Sequence, residues 1–208
     1  MDEQELATRY TARQPMLVQL AATLEAQVVE ILDGVPHIDR IVFRVKMPSS
    51  FVVKATKKDP DTGKDKYSHP FSELEDQVAG RVLTFFRSDI DVVRARLVGS
   101  LGPVEYEPKE PKDADEFGYE SDHFVFVIPE HHKPEGWHDF ADMPTTFELQ
   151  LRTLFMHAWA EPQHDIGYKS RGGENDRQTK RELAWVAASA WGADRILNEV
   201  AARLTTPN

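Results

Sequence analysis

The stretch from Thr145 to Lys169, TTFELQLRTLFMHAWAEPQHDIGYK, constrains this chain more than any other. Its first half alternates with period two, so Phe147, Leu149 and Leu151 point to one side of a strand and Glu148, Gln150 and Arg152 to the other. Such a strand needs a core beneath it and leaves a polar face above. Polar residues on that face recur every ~7 Å, twice the rise of a strand, so a carboxylate, an amide and a guanidinium stand in a row fit to hold a metal ion, a hydroxyl and a phosphate. The segment then changes to helical spacing, with Leu154 and Ala158 expected to pack inward and His157, Glu161 and His164 at i, i+4, i+7 on one face.

The rest of the pattern supplies a sheet around this strand and helices to cover it. Leu17, Leu20, Leu24, Val28 and Ile31 predict an amphipathic helix over about 15–33, ended by Gly34 and Pro36. Ile41, Phe43 and Val45 alternate with Arg40, Arg44 and Lys46, a strand with a cationic face. Pro48 and Ser49 or Ser50 begin a helix through FVVKATKK that carries Lys54, Lys57 and Lys58. From Arg44 to Lys66 seven Lys and Arg face three Asp, a basic island in an acidic chain. A strand ending in two cations and entering a helix N-terminus suits a polyphosphate; a solvated basic face is the plainer alternative.

Further strands are expected near residues 78–86, 103–107, 122–128 and 145–152, beside the one near 39–46, with a loop at DPDTGKDKYSHP and a helix over Ser88–Leu101. Asp76 stands at the mouth of the second strand. From Glu105 to Asp122 eight acidic residues outnumber Lys109 and Lys112. His131, His132 and His138 lie in a loop or hairpin before Pro144 without a carboxylate at ligand spacing, so they are not read as a metal site. A helix over 179–204 carries Leu183, Val186, Ala190, Leu197, Val200 and Leu204 as a stripe that packs on the first helix or on another subunit. The fold expected is α/β or α+β, a mixed sheet of about five strands with flanking helices.

With 208 residues and 40% hydrophobic content the chain can bury one core, so a single domain over 1–208 is expected, with 39–169 holding its strands and candidate site residues. It has no cysteine, no apolar run of membrane-spanning length, and an acidic, polar start in MDEQELATRY. These features predict a cytoplasmic protein without membrane partners. A net charge of −10 opposes general binding to nucleic acid.

The Thr145 segment resembles the synthetase domain of RelA/SpoT-type enzymes, whose E-x-Q-x-R-T and following helix are matched by Glu148, Gln150, Arg152, Thr153, His157, Ala160, Glu161, His164, Tyr168 and Lys169. RVKMPSSFVVK is similar to that family's R-x-K-x-x-x-S-x-x-x-K, with Arg44, Lys46, Ser50 and Lys54 in register; DQVAGRV looks like its D-[IL]-x-G-[IV]-R-[IV], with Asp76 and Arg81; and Gly118, Tyr119, Ser121 and His123 match N-G-Y-x-S-x-H. The resemblance covers Arg40 to Lys169 in the family's order. It implies a nucleotidyltransferase-like sheet and a small, single-domain pyrophosphokinase, of the GTP diphosphokinase type, that moves pyrophosphate from ATP to the 3′-hydroxyl of GTP or GDP to make (p)ppGpp. Arg44, Lys46, Ser50, Lys54 and Arg81 would bind ATP, and Asp76 and Glu148 would hold Mg²⁺. Tyr119 would stack on the acceptor, His123 and Gln150 would orient it, Arg152 would add a cation, and Glu148 would draw the hydroxyl proton.

Some positions depart from that pattern. Gln77 stands where the family usually has an apolar residue, a minor departure that leaves the charged positions untouched; Phe117 replaces the family's common Asn, and Asp113, Asp115 and Glu116 stand where the family has basic residues that meet the guanine nucleotide and its phosphates. The acceptor therefore stays open between a guanine nucleotide, an adenine nucleotide (giving ppApp) and the 3′ end of tRNA, the last seated by Lys54, Lys57, Lys58, Lys64, Lys66, Lys169, Arg171, Arg177, Lys180 and Arg181. A synthetase without its own hydrolase segment needs an opposing enzyme or, as a toxin-like member, an antitoxin. Two readings from other classes compete: a metal-dependent hydrolase on His157, Glu161 and His164, which Pro162 disfavours by bending that helix, and a non-catalytic nucleotide sensor, which the presence of both Asp76 and Glu148 disfavours.

Overall fold

The computed structural model describes residues 2–113, 116–169 and 177–205, with side chains throughout except at 163–169 and 205. Among the described residues one sheet contains β1 (Ile38–Val45), β2 (Val78–Thr84), β3 (Glu105–Lys109), β4 (Ser121–Val127) and β5 (Thr146–Thr153). Their spatial order is β1-β2-β5-β4-β3; β2 and β5 run parallel and the other neighbours antiparallel. The helices are α1 (Glu3–Ile31), α2 (Pro48–Ala55), α3 (Pro70–Glu73), α4 (Arg87–Leu101), α5 (Leu154–Lys169) and α6 (Arg177–Thr205). None of the described helices is long and apolar enough to cross a membrane.

β5 lies at the centre, as its alternation demands. Phe147, Leu149 and Leu151 are fully buried, together with Phe124 of β4, Leu17, Leu20, Leu24 and Val28 of α1 and Val93 and Leu97 of α4. Each such side chain contributes about 1.5–3 kcal/mol on burial, so this face carries the stability and leaves the opposite face free to be polar. Gly80 of β2 is pressed between the two: a Cβ there would stand 2.4 Å from the Phe43 ring and 2.6 Å from Leu149.

The first helix begins at Glu3, well before the residue-15 start expected from the sequence. Asp2 caps it by accepting from the Glu5 backbone N–H at 2.7 Å, Leu6 and Tyr10 extend the buried stripe, and Pro15 sits inside the helix rather than at its start. Tyr10 stacks on Phe51 of α2 with centroids 4.0 Å apart. Arg13, only 3% exposed, lies over the rings of Phe71 and Phe140 and pairs with Asp142, tying α1 to the β4–β5 connection. That connection is a long hairpin link with short 3₁₀ turns at Glu130–His132 and Trp137–Asp139. Glu25 accepts from the Phe43 backbone N–H at 2.8 Å and so covers the outer edge of β1, whereas β3 forms the other edge with Glu105, Tyr106, Glu107 and Pro108 exposed.

Other expectations shift as well. α2 stops at Ala55, so of its three expected lysines only Lys54 lies on the helix, and Lys58 pairs instead with Asp65. α5 turns Met156, Trp159 and Ala160 inward against α6, and Ala158 faces outward. The buried face of α6 is Ala187, Ala190 and Asp194, because small side chains let it approach α5; Val186, Leu197 and Leu204 of the expected stripe are exposed.

Candidate active site

Strand register builds the site on the face opposite the core. One row across the sheet reads Arg44, Ala79, Glu148, Val125, Glu105, and the next reads Val42, Arg81, Gln150, His123, Glu107. Neighbouring strands lie ~4.8 Å apart, which puts Arg81 and His123 on either side of Gln150 and one strand, β2, between Arg44 and Glu148.

Asp76 occupies a 3₁₀ turn, Glu75–Gln77, at the start of β2. The turn is pinned from below. Gln77 is fully buried, its Nε2 donates to the carbonyls of Phe71 and Leu74 at 2.7 and 3.0 Å, and its own carbonyl accepts from the Lys46 backbone N–H. Asp76 Oδ2 meets Lys46 Nζ at 2.7 Å and Lys54 Nζ at 2.9 Å, while Oδ1 is buried with no hydrogen-bond partner among the described residues. Burial opposes the charged carboxylate, yet the two lysines more than offset it and hold the Asp76 carboxyl below its usual range. Lys54 also feels Glu148, and its pKa rises because these carboxylates outweigh its burial. Glu75, beside the same group, is pushed up by burial and by Glu105 and Glu148.

Glu148 Oε1 accepts from Gln150 Nε2 at 2.5 Å and lies 3.5 Å from His123 Nδ1. His123 Nε2 is 3.1 Å from the Tyr119 hydroxyl, which in turn accepts from Arg152 Nη1 at 3.3 Å. Burial lowers the pKa of His123, and the neighbouring Glu148 only partly restores it, so the ring is neutral near pH 7. Arg152, 3% exposed, spends its other nitrogen on His157 Nδ1 at 2.8 Å and on Glu161 Oε1 at 2.9 Å; Arg81 Nη1 reaches that same oxygen at 2.9 Å. Burial, then Arg152, lowers the pKa of His157, and the two arginines hold Glu161 below its ordinary range against the opposing effect of its burial.

Thus the expected residues Lys46, Lys54 and Asp76 meet in one cluster, and Arg81, Tyr119, His123, Glu148, Gln150, Arg152, His157 and Glu161 in a second, contiguous along the strands. Arg44 is exposed at the end of its row and Ser50 is exposed in the first turn of α2. His164 lies outside the described side chains. For a zinc site, His157 and Glu161 have the wrong neighbours, since both point at guanidinium groups that would repel a cation. Among the described residues no three His, Asp or Glu converge on one point. Mg²⁺ does not require that, because it binds through one or two carboxylates plus substrate phosphates, and the unpartnered Oδ1 of Asp76 fits such an ion.

Glu75, Glu107 and Lys109, which surround the site from the turn and from β3, match no motif in the sequence, and Gln77 proves structural rather than a minor departure. The signal for Gln77 was its polarity at an apolar position, the mark of a side chain that hydrogen-bonds inside.

Known proteins resemble this chain in sequence and in fold. Residues 43–173 match the model of the region found in RelA/SpoT proteins. The chain is 27% identical over 175 residues, 82% of its own length and 75% of the relative's, to the GTP pyrophosphokinase YjbM of Bacillus subtilis (strain 168). Its fold superposes on the small alarmone synthetase 1 from Bacillus subtilis with a TM-score of 0.73 at 21% identity, covering 94% of this chain and 97% of that one. A GTP pyrophosphokinase family protein from Streptococcus pneumoniae gives 0.72 at 21% identity, covering 94% of each chain. The Bacillus subtilis synthetase has also been solved with its product pppGpp and with AMPCPP. Because the matched region takes in both carboxylate-bearing segments and most of the sheet that joins them, the chain belongs to the RelA/SpoT family.

Proposed function

We propose that this protein is a pyrophosphokinase that transfers the β,γ-pyrophosphate of ATP to the 3′-hydroxyl of GTP or GDP, forming (p)ppGpp. The observation that carries the reading is the cross-strand row in which Arg81 and His123 flank Gln150 beside Glu148, with Asp76 and its two lysines at the head of β2. Donor cations stand on one side of a carboxylate and acceptor groups on the other. The names of the relatives, a pyrophosphokinase and alarmone synthetases, support the same activity.

In this reading Arg44, Lys46, Lys54 and Arg81 hold the triphosphate in line with the acceptor hydroxyl. Glu148 takes the hydroxyl proton as that oxygen bonds to the β-phosphorus and AMP leaves. Tyr119 offers a ring to the acceptor base. Asp76 and Glu148 would hold Mg²⁺, which when bound would neutralise charge on the phosphate oxygens. Lys46 and Lys54 are preorganised by Asp76 rather than free in solvent, so little side-chain entropy remains to be lost when phosphate arrives.

The acceptor base is tested directly. Purified protein with γ- or β-labelled ATP and Mg²⁺ is given GDP, GTP, AMP, ADP, ATP or deacylated tRNA in separate reactions. Label on GDP or GTP, abolished by Glu148→Gln, is the expected result. Label only on an adenine nucleotide, or on tRNA with a steep loss of binding as salt rises, would replace the guanine assignment. A Glu148→Gln variant as fast as the parent would overturn the role of Glu148.

A further inference from the structure

Tyr119, His123 and Glu148 form a line whose proton arrangement decides how Glu148 is held. Arg152 Nη1 donates to the Tyr119 hydroxyl oxygen at 3.3 Å, since a guanidinium has no acceptor. The phenol's own hydrogen is then left for His123 Nε2 at 3.1 Å. An Nε2 that accepts puts the proton of a neutral imidazole on Nδ1, and Nδ1 is the atom 3.5 Å from Glu148 Oε1. Hydrogen bonds thus run one way, from Arg152 through Tyr119 to His123, and the Nδ1 proton faces the Glu148 carboxylate as a charge–dipole contact. The opposite tautomer would aim a lone pair at a carboxylate and leave the phenol oxygen facing two donors. Glu107 and Lys109 of β3 also face the His123 ring, with opposed charges.

We propose that the hydroxyl of Tyr119, as distinct from its ring, is a positioning group that fixes His123 as the Nδ1–H tautomer, which with Gln150 holds Glu148 by Oε1 and leaves its other oxygen for the acceptor hydroxyl. This rests on the reading of Glu148 as the proton acceptor. Arg152 lies over the Tyr119 ring, its Cζ 5.6 Å from the centroid, and the ring also packs against the cluster of Met156 and Trp159, so the part of it left exposed is what an acceptor base would cover. The side chain that recognises the acceptor is then the one that sets the base, and the two events travel together.

The test separates ring from hydroxyl. Tyr119→Phe should lower kcat about tenfold, the worth of one hydrogen bond, with acceptor KM within about twofold, whereas Tyr119→Ala should raise acceptor KM. His123→Asn keeps a donor near the Nδ1 position without a tautomer to choose, so it should retain more activity than His123→Ala, and adding Tyr119→Phe to it should cost little more. Nitrogen NMR of histidine-labelled protein should find Nδ1–H at His123 in the parent and a shift toward Nε2–H, the form free imidazole prefers, in Tyr119→Phe. A parent that already carries Nε2–H, or a Tyr119→Phe variant that changes acceptor KM alone or nothing at all, overturns the proposal. A Glu148→Gln variant that stays active overturns instead the reading beneath it, whatever the tautomer.

Discussion

Arg81 and Arg152, on adjacent parallel strands, end on the same oxygen of Glu161, each at 2.9 Å. One arginine lies on the proposed donor side and the other on the acceptor side, so a single carboxylate spaces both. Glu161 is half-exposed while Arg152 is buried, so its loss leaves a buried guanidinium short of a counter-charge. Discounted for that exposure, Glu161→Gln should cost about 1–2 kcal/mol and lower Tm by about 3–6 °C. ATP should restore more of the melting temperature to this variant than to the parent, because phosphate supplies the missing negative charge. A thermal-shift titration checks this; equal ATP shifts in both proteins would refute it.

Asp76→Asn tests the other cluster. Lys46 is buried and loses its main partner, so the variant should be less stable by roughly 2 kcal/mol near pH 7. The Asp76 carboxyl is held below its usual range, so its stabilising effect is present above the unfolded pKa, near 4, and is lost as pH falls through the lower folded value. Denaturant unfolding of parent and variant should therefore converge in strong acid. Transfer activity should fall by roughly a hundredfold or more at neutral pH.

Gly80→Ala should be destabilising despite the smallness of the change. Its Cβ would enter the Phe43 ring and the Leu149 side chain, both anchored in the core. Overpacking of this kind costs about 1–3 kcal/mol, and pairing with Phe43→Leu should recover part of it. Chemical denaturation of the two variants and their combination measures the coupling.

Asp194 gives a prediction of opposite pH sign. It is 1% exposed, accepts from Thr153 Oγ1 at 2.5 Å, and burial raises its pKa to about 6. A raised carboxyl pKa favours the fold below the unfolded value near 4, and that advantage disappears as pH rises through about 6. Asp194→Asn should thus be neutral at pH 4 and more stable than the parent at pH 8, by up to about 3 kcal/mol. Melting curves at the two pH values decide it.

β5 could be read from the chain because a strict alternation has one reading when one face must be buried. The start of α1 could not: Pro15 reads as a helix start, and the buried Arg13 interrupts an otherwise apolar stripe, since its partner Asp142 lies in a distant loop. Motif spacing named Lys46, Lys54 and Asp76, but only the folded chain shows the lysines spent on Asp76 before any phosphate arrives. Glu161 was visible as one member of a helical His/Glu face, and its true partners are guanidinium groups on strands. Asp194 carried no signal beyond the small residues Ala187 and Ala190 that share its buried face.

The two rims of the sheet are closed in different ways. Glu25 occupies the Phe43 amide on one side, and on the other β3 shows Glu105, Glu107 and Pro108 to solvent. A strand from a neighbouring molecule would find no free amide at Phe43 on the first rim, and on the second like charges and a residue without a donor. Concentrated solutions of this acidic protein should consequently resist ordered fibrillar self-association through β1 and β3.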